Sequence, residues 1–326
     1  MVTECQVFLT RKCNIMCGYC KLIEKQFDNE LTTDEWKKAF LLLEKLGIKT
    51  VKLMGGEPTV LEHLEEILTF INENTNIKYA VLSNSIISDE RLQSLVNAGL
   101  QGYFASVDTI KATSSETDDS KKKAHAGFEV LKKLKKMGVK LLGANVVITS
   151  KNLDDLPETV TTLSNEGVWI NLCPVINANG GTDSRDWEYR KVVDESALLR
   201  KEDVPKLNDT MIKLLQLKQE GLRLAVPDNY LINMSKFAVN CDWQCGQFSQ
   251  LRLDADGALM LCNDIRGDVA EKYNIRTLTL ESYEAFKKDW QKEREAINCS
   301  GCYWSCFYFA EENLRLGRNE FYYMEG

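Results

Sequence analysis

Three cysteines, Cys13, Cys17 and Cys20, stand close enough along the chain to serve one metal centre. Their spacing, C-x-x-x-C-x-x-C, supplies three thiolates, enough for three corners of a cubane iron–sulfur cluster whose usual cysteine set fills all four. An iron left without a protein ligand is free to bind a small molecule. The same thiols could instead share zinc with a distant ligand, or be unrelated. Six more cysteines, Cys241, Cys245, Cys262, Cys299, Cys302 and Cys306, crowd the last third of the chain. Cys5 and Cys173 stand alone on strand-like segments, where a free cysteine is commonly a small core residue. Cys173 differs in lying beside Pro174 at the end of its strand, where a thiol could give hydrogen to a substrate radical. Two histidines, His63 and His125, leave little scope for histidine-based metal sites or catalysis.

Composition narrows the classes of partner. Of 326 residues 44% are hydrophobic and 27% charged, an ordinary globular balance for one large domain or two smaller ones. The net charge of −7 argues against a nucleic-acid partner. Lysine runs at Lys121-Lys122-Lys123 and Lys132-Lys133 read as solvated helix faces. No apolar run reaches the ~18 residues of a membrane span, so no membrane partner is expected. The first ten residues lead into a strand without a basic and then apolar stretch, which argues against a signal peptide. The expected compartment is the cytoplasm, where thiols stay reduced and eleven cysteines point to metal or redox centres rather than disulfides.

Positioning these groups requires a repeated scaffold. Apolar helical faces end at Gly47, Gly99, Gly138, Gly167 and Gly221, and a β-branched run follows each. The runs are Thr50–Met54, Tyr103–Val107, Lys140–Ile148, Val168–Val175 and Leu222–Val226. Thr32 and Glu35 predict a capping box ahead of Trp36, Phe40, Leu43 and Leu46, and Ser88 predicts another helix start. Strands alternating with amphipathic helices imply βαβ units and a parallel sheet. About six units up to Val175 are too few for a complete barrel. A partial barrel is the favoured closure and an open doubly wound sheet the alternative. Beyond Val226 the rhythm fades. Gln250–Leu253, the turn Asp254-Ala255-Asp256-Gly257 and Ala258–Leu261 predict a hairpin, and Glu281–Ile297 a polar helix. Asn177–Arg200 reads as a long loop over the carboxyl end of the sheet.

Gly55-Gly56-Glu57-Pro58 follows the second strand directly, where glycines let backbone approach a ligand closely. Ser83-Asn84-Ser85, Ser106-Val107-Asp108 and Asn145 lie at or near the ends of later strands, where parallel α/β proteins bind ligands. The cysteine triad, with Tyr19 before its last cysteine, and Gly-Gly-Glu-Pro in register resemble the radical S-adenosylmethionine (SAM) superfamily. The likeness covers roughly Val7 to Val175 in organisation, and its first two motifs are the specific ones. It implies an α/β fold: a partial (β/α)6 TIM-like barrel over 1–225, with a small cysteine-rich α+β subdomain over 226–326. It also implies a [4Fe-4S] cluster on Cys13, Cys17 and Cys20 whose open iron is chelated by SAM. Gly55, Gly56 and Glu57 would hold the methionine amino group and Tyr19 would meet adenine. Asn84 would join the cofactor site, with Ser106 and Asn145 at ribose or carboxylate. The family usually has glycine where this chain has Ser85.

The later cysteines resemble the family's auxiliary-cluster extension in its short "twitch" form rather than the longer SPASM form. This implies at least one auxiliary [4Fe-4S] cluster on Cys245, Cys262, Cys299 and Cys302, with Cys306 the alternate ligand and Cys241 in reserve. Two clusters with incomplete thiolate sets are a second arrangement, and a structural zinc ribbon the bland one. The implied activity is formation of a 5′-deoxyadenosyl radical that takes hydrogen from a substrate C–H bond, with electrons from a flavodoxin- or ferredoxin-type reductant. The first expectation is a maturase acting on a ribosomal peptide by oxidation, cross-linking or epimerisation. The alternative is a small-molecule dehydrogenase or epimerase of the aminocyclitol or sugar kind. The molybdenum-cofactor cyclases rank below these, because their C-terminal cysteine spacing and glycine tail differ. A non-catalytic iron–sulfur electron carrier ranks last, because it would leave Gly-Gly-Glu-Pro without a purpose.

Overall fold

Every residue of the first strand, β1 (Glu4–Thr10), is buried, because this strand lies inside the sheet rather than at its edge. The computed structural model describes residues 2–17, 20, 22, 26–111, 118–175, 195–240, 242–297, 299, 301–319 and 321, with backbone alone at 118–125. Tyr19, Cys241 and most of the 177–200 segment lie outside the described residues.

After β1 come α1 (Thr33–Lys45), β2 (Thr50–Gly55), a 3-10 turn (Pro58–Val60), α2 (Leu64–Asn74), β3 (Lys78–Ser83), α3 (Asp89–Asn97) and β4 (Gly102–Ser106). Then follow α4 (Asp118–Lys136), β5 (Leu141–Ile148), α5 (Leu156–Asn165) and β6 (Trp169–Pro174). The C-terminal part adds α6 (Val204–Gln219), α7 (Asp228–Ile232), α8 (Met234–Ala238), β7 (Leu251–Leu253), α9 (Asp268–Lys272), α10 (Leu280–Ala296) and α11 (Ser305–Leu316). The sheet order is β6-β5-β4-β3-β2-β1-β7, with every pairing parallel. It curls into a partial barrel, as the strand–helix rhythm implies.

The helix signals act as read. Thr32 accepts from Glu35 N while the Glu35 carboxylate accepts from Thr32 N at 2.8 Å, closing the capping box of α1. Ser88 caps α3. All five helix-ending glycines take φ between 80° and 105°, the left-handed region that side chains resist. Lys132 and Lys133 pair with Glu129 and Asp89 on the surface. Among the described residues no helix is long and apolar enough to cross a membrane.

One expected strand does not form. Leu222–Val226 makes a single parallel bridge, Leu224 to Ile170, with Ala225 N donating to Ile170 O at 2.9 Å. Gly221 before it and Pro227 after it leave too short an extended run to continue the ladder. The seventh strand is instead β7, which pairs through Leu251 and Leu253 with Cys5 and Val7 of β1. The expected hairpin turn is present: Gly257 N donates to Asp254 O and Asp254 N to Ala258 O. The cysteine-rich part thus shares the barrel's core, and Leu253, Phe286, Trp290 and Tyr303 belong to one apolar cluster with Val7 and Leu53.

Strand alternation decides what faces inward. Cys5, Val7, Val51, Leu53, Val81, Ala144 and Ile170 pack outward against the helices. Their neighbours Gln6, Lys52, Met54, Leu82, Asn145, Asn171 and Cys173 face the interior. Register aligns Ser106, Asn145 and Asn171 on one rung across β4, β5 and β6. A second rung sets Lys52, Gln6 and Arg252 side by side on β2, β1 and β7.

Candidate active site and cofactor pocket

The loop after β1 is held by the turn after β2. Gly56 N donates to Thr10 O and Glu57 N to Lys12 O, each at 2.8 Å. A Cβ on Gly55 would fall 2.2 Å from Thr10 O, and one on Gly56 would fall 2.1 Å from Lys12 O. Both glycines are therefore needed for the backbone beneath the triad. The sequence reading expected them to make room for a ligand; in the structure they line the cavity and also make room for the cysteine loop.

Glu57 is 1% exposed and braces this turn. One carboxylate oxygen accepts from Thr59 N at 3.1 Å and Thr59 Oγ1 at 2.8 Å, the other from Asn84 N at 2.6 Å. Burial pushes its carboxyl above the ordinary range, while these donors favour the ionised form. Asn84 completes the brace. Its Nδ2 donates to Asn14 Oδ1 at 2.7 Å and approaches Cys13 Sγ at 3.8 Å, and its Oδ1 accepts from Ile86 N. Ser85 follows in the left-handed region, with φ of 64°. The family's usual glycine at this position thereby has a conformational reason.

These residues surround a cavity of about 190 Å³. Its lining includes Cys13, Cys17, Cys20, Gly55, Gly56, Glu57, Asn84, Ser106 and Asn145, so the structure brings together every described residue expected at the cofactor site. No fourth cysteine lines it among the described residues. Three soft thiolates with no fourth suit an iron–sulfur cluster with one open iron.

A second cavity, of about 220 Å³, shares Cys20, Met54, Leu82 and Asn145 with the first. It runs beneath β5 and β6 to the start of α11, and Cys173, Cys306, Trp304 and Asn263 line its far side. Burial pushes the Cys173 thiol up to about 12, so at neutral pH it keeps its proton. Asn171 Nδ2 donates to Asn145 Oδ1 at 3.0 Å and so fixes a residue common to both cavities. Lys52 is the one cationic side chain among the described lining residues. Sequence reasoning missed Asn171, Asn263, Gln6 and Lys52. Their signal was polar residues inside apolar strands, visible only once alternation was assigned a direction.

The later cysteines gather beyond this cavity. Cys302 and Phe307 are buried with Cys245, Cys262, Cys306, Trp243 and Trp304 packed around them. N–H groups point at the sulfurs: Arg294 Nε to Cys245 at 3.1 Å, Ile265 N to Cys262 at 3.2 Å and Gly301 N to Cys299 at 3.4 Å. Asn263 Nδ2 lies 3.7 Å from Cys306 Sγ. Such donors and the Arg294 cation suit thiolates in an anionic cluster. Cys306, the alternate ligand by sequence, belongs to this group and faces the second cavity as well.

Comparison with known proteins agrees with this geometry. The sequence profile of the radical SAM superfamily matches residues 7–163. A GTP 3′,8-cyclase of Aquifex aeolicus is 27% identical over 316 residues, covering 89% of this chain and 93% of that protein. SuiB of Streptococcus suis, solved bound to S-adenosylmethionine, superposes with a TM-score of 0.63 at 16% identity over 86% of this chain, which spans 65% of SuiB. The enzyme anSMEcpe, solved with AdoMet and the Cp18Cys peptide, gives a TM-score of 0.62 at 17% identity, covering 89% of this chain and 81% of that one. At these identities the structural likeness speaks for the fold alone. Residues 7–163, which carry the triad and its cavity, are a radical SAM domain, the unit with which radical SAM enzymes hold a [4Fe-4S] cluster and S-adenosylmethionine.

Proposed function

We propose that this enzyme takes hydrogen from a C–H bond of one residue of a ribosomal peptide. The observation that carries this reading is the second cavity, which shares Cys20, Met54, Leu82 and Asn145 with the cofactor pocket and reaches Cys306 on its far side. It is the size of a single amino-acid residue, and its polar lining is mainly carboxamide. In this reading Cys13, Cys17 and Cys20 hold the barrel cluster, and residues 226–326 form the auxiliary-cluster unit. Cys245, Cys262, Cys299 and Cys302 hold the second cluster, with Cys306 in place of one of them as the alternate set. A cluster held by the triad would supply the electron that splits bound S-adenosylmethionine into methionine and the 5′-deoxyadenosyl radical. Gly55, Gly56, Glu57 and Asn84 keep the triad loop in place, Ser106 and Asn145 orient the cofactor, and the apolar walls exclude water. Cys173, still protonated, lines this cavity and would return a hydrogen atom to the substrate carbon, leaving a thiyl radical that one electron from the reductant and one proton convert back to the thiol.

A second reading has an observation of its own. The alignment with a GTP 3′,8-cyclase runs along nearly the whole chain, which raises nucleotide chemistry above the rank given to it by cysteine spacing alone. A triphosphate needs several cations, whereas the described cavity lining offers Lys52.

The test is cofactor cleavage in anaerobically reconstituted protein with a strong reductant. Wild type should form 5′-deoxyadenosine and methionine, and Cys17→Ala neither. Short peptides encoded beside the gene should raise the yield above the substrate-free level, and GTP should not. Stimulation by GTP alone would reverse the order of the two readings.

A further inference from the structure

Arg294 stands in the last turn of α10, one turn beyond Trp290 and therefore on the same face of the helix. Trp290 Nε1 donates to Leu261 O at 2.7 Å, which seats the helix against the residue before Cys262. From that seat Arg294 Nε donates to Cys245 Sγ at 3.1 Å, and its Nη2 donates to Gln244 Oε1 at 2.7 Å. Gln244 Nε2 in turn donates to Cys299 O at 2.9 Å. A guanidinium only donates and a backbone carbonyl only accepts, so the two partners fix the Gln244 amide in this orientation. On the other side of Cys245, the Glu311 carboxylate accepts from Gly246 N at 2.6 Å and Gln247 N at 3.4 Å. Its charge is directed at backbone N–H groups, whereas the guanidinium meets the sulfur itself.

We infer that Arg294 is a positioning residue that holds Cys245 to the C-terminal cluster and raises that cluster's reduction potential. The inference rests on the reading that Cys245 is a cluster ligand. Arginine keeps its charge throughout the working pH range. Reduction adds negative charge to a centre already surrounded by thiolates, so a fixed cation at one sulfur favours the reduced state over the oxidised one. Hydrogen bonds to the sulfurs are among the features that set such potentials. The guanidinium keeps all of its protons, so one electron enters and no proton moves. The consequence is easier reduction of this cluster by a flavodoxin- or ferredoxin-type donor.

The experiment is a potentiometric titration of the anaerobically reconstituted full-length protein, followed by electron paramagnetic resonance. The Cys13/Cys17/Cys20→Ala protein identifies which signal belongs to the C-terminal cluster. Arg294→Leu should make that cluster about tenfold harder to reduce, a fall of about 59 mV in midpoint potential for a one-electron couple. Arg294→Lys, which keeps a cation with N–H groups, should recover part of the loss, and the barrel cluster should keep its midpoint in both variants. An unchanged or higher midpoint in an Arg294→Leu protein that carries its full iron would overturn the inference. Should Arg294→Leu load iron poorly, Arg294→Gln retains an N–H donor without the charge; a lower midpoint there supports the inference and an unchanged one overturns it. Zinc in place of iron on the C-terminal cysteines of wild type would instead count against the cluster reading itself, so the two failures are separable.

Discussion

Cys173 shows how one side chain's surroundings decide what it can do. Hydrogen-atom transfer needs an S–H bond, and a thiol held up to about 12 by burial retains it across the physiological range. If Cys173 returns hydrogen, product formed in heavy water should carry one deuterium at the reacting carbon, because thiols exchange with solvent. Cys173→Ser should then still yield 5′-deoxyadenosine but little product. Product free of deuterium would remove Cys173 from the reaction and leave oxidation or cross-linking. Ser85 makes the complementary case for backbone. Its left-handed φ of 64° costs a side-chain-bearing residue about 1–2 kcal/mol. Its hydroxyl contacts Tyr103 OH at 3.2 Å, and Ser83 also bonds that phenol. Ser85→Gly should therefore leave Tyr103 satisfied and raise the thermal midpoint by a degree or two. A fall would show that the serine hydroxyl outweighs the strain.

Elements were legible where a local signal fixes them and obscure where a distant partner does. Thr32 with Glu35, Ser88 and the glycine helix ends are local, and each acts as its sequence implies. Leu222–Val226 carries a strand's composition, yet whether it extends the sheet depends on Ile170 and on the proline that follows. The cysteine triad and Gly-Gly-Glu-Pro were readable because they are contiguous; that the glycines serve the triad loop was not, since Thr10 and Lys12 lie more than forty positions away in the chain. The firmest of these long links was invisible in sequence. Arg11, two residues before Cys13, donates through Nε to Asp254 Oδ1 at 2.9 Å and through its second nitrogen to Oδ2. Arg266 also pairs with Asp254, and both guanidinium groups stack on Phe27 at 4.5 and 4.7 Å. Arg11 and Asp254 are 1% and 0% exposed, so deleting the carboxylate removes a buried anion that two guanidinium groups share. Asp254→Ala should cost about 3–5 kcal/mol and visibly lower the melting temperature. A loss below about 1 kcal/mol would mean that the hairpin and the cysteine loop are held together by packing alone.

On the scale of the whole molecule, β1 lies between β2 and β7, so one strand carries the triad loop and also pairs with the hairpin that leads to Cys262. Cys20 of the triad and Cys306 of the later group thereby line one cavity, an arrangement expected if both groups act on the same substrate. Two cubanes would give about eight irons per chain, and a Cys13/Cys17/Cys20→Ala variant should keep about four. Zinc in place of the remaining four would make the C-terminal group structural. Cys262→Ala separates the roles further. Its barrel site is untouched, so S-adenosylmethionine should still be cleaved. If the C-terminal cluster exchanges electrons with the substrate radical or holds the substrate, product should fall to near zero while 5′-deoxyadenosine persists. A structural metal predicts otherwise, because losing one ligand removes folding energy and the protein should turn labile or insoluble. The downstream role thus requires a soluble variant with cleavage uncoupled from product. Equal loss of deoxyadenosine and product in a stable Cys262→Ala protein would exclude it, because a group acting only after radical formation leaves the first step intact.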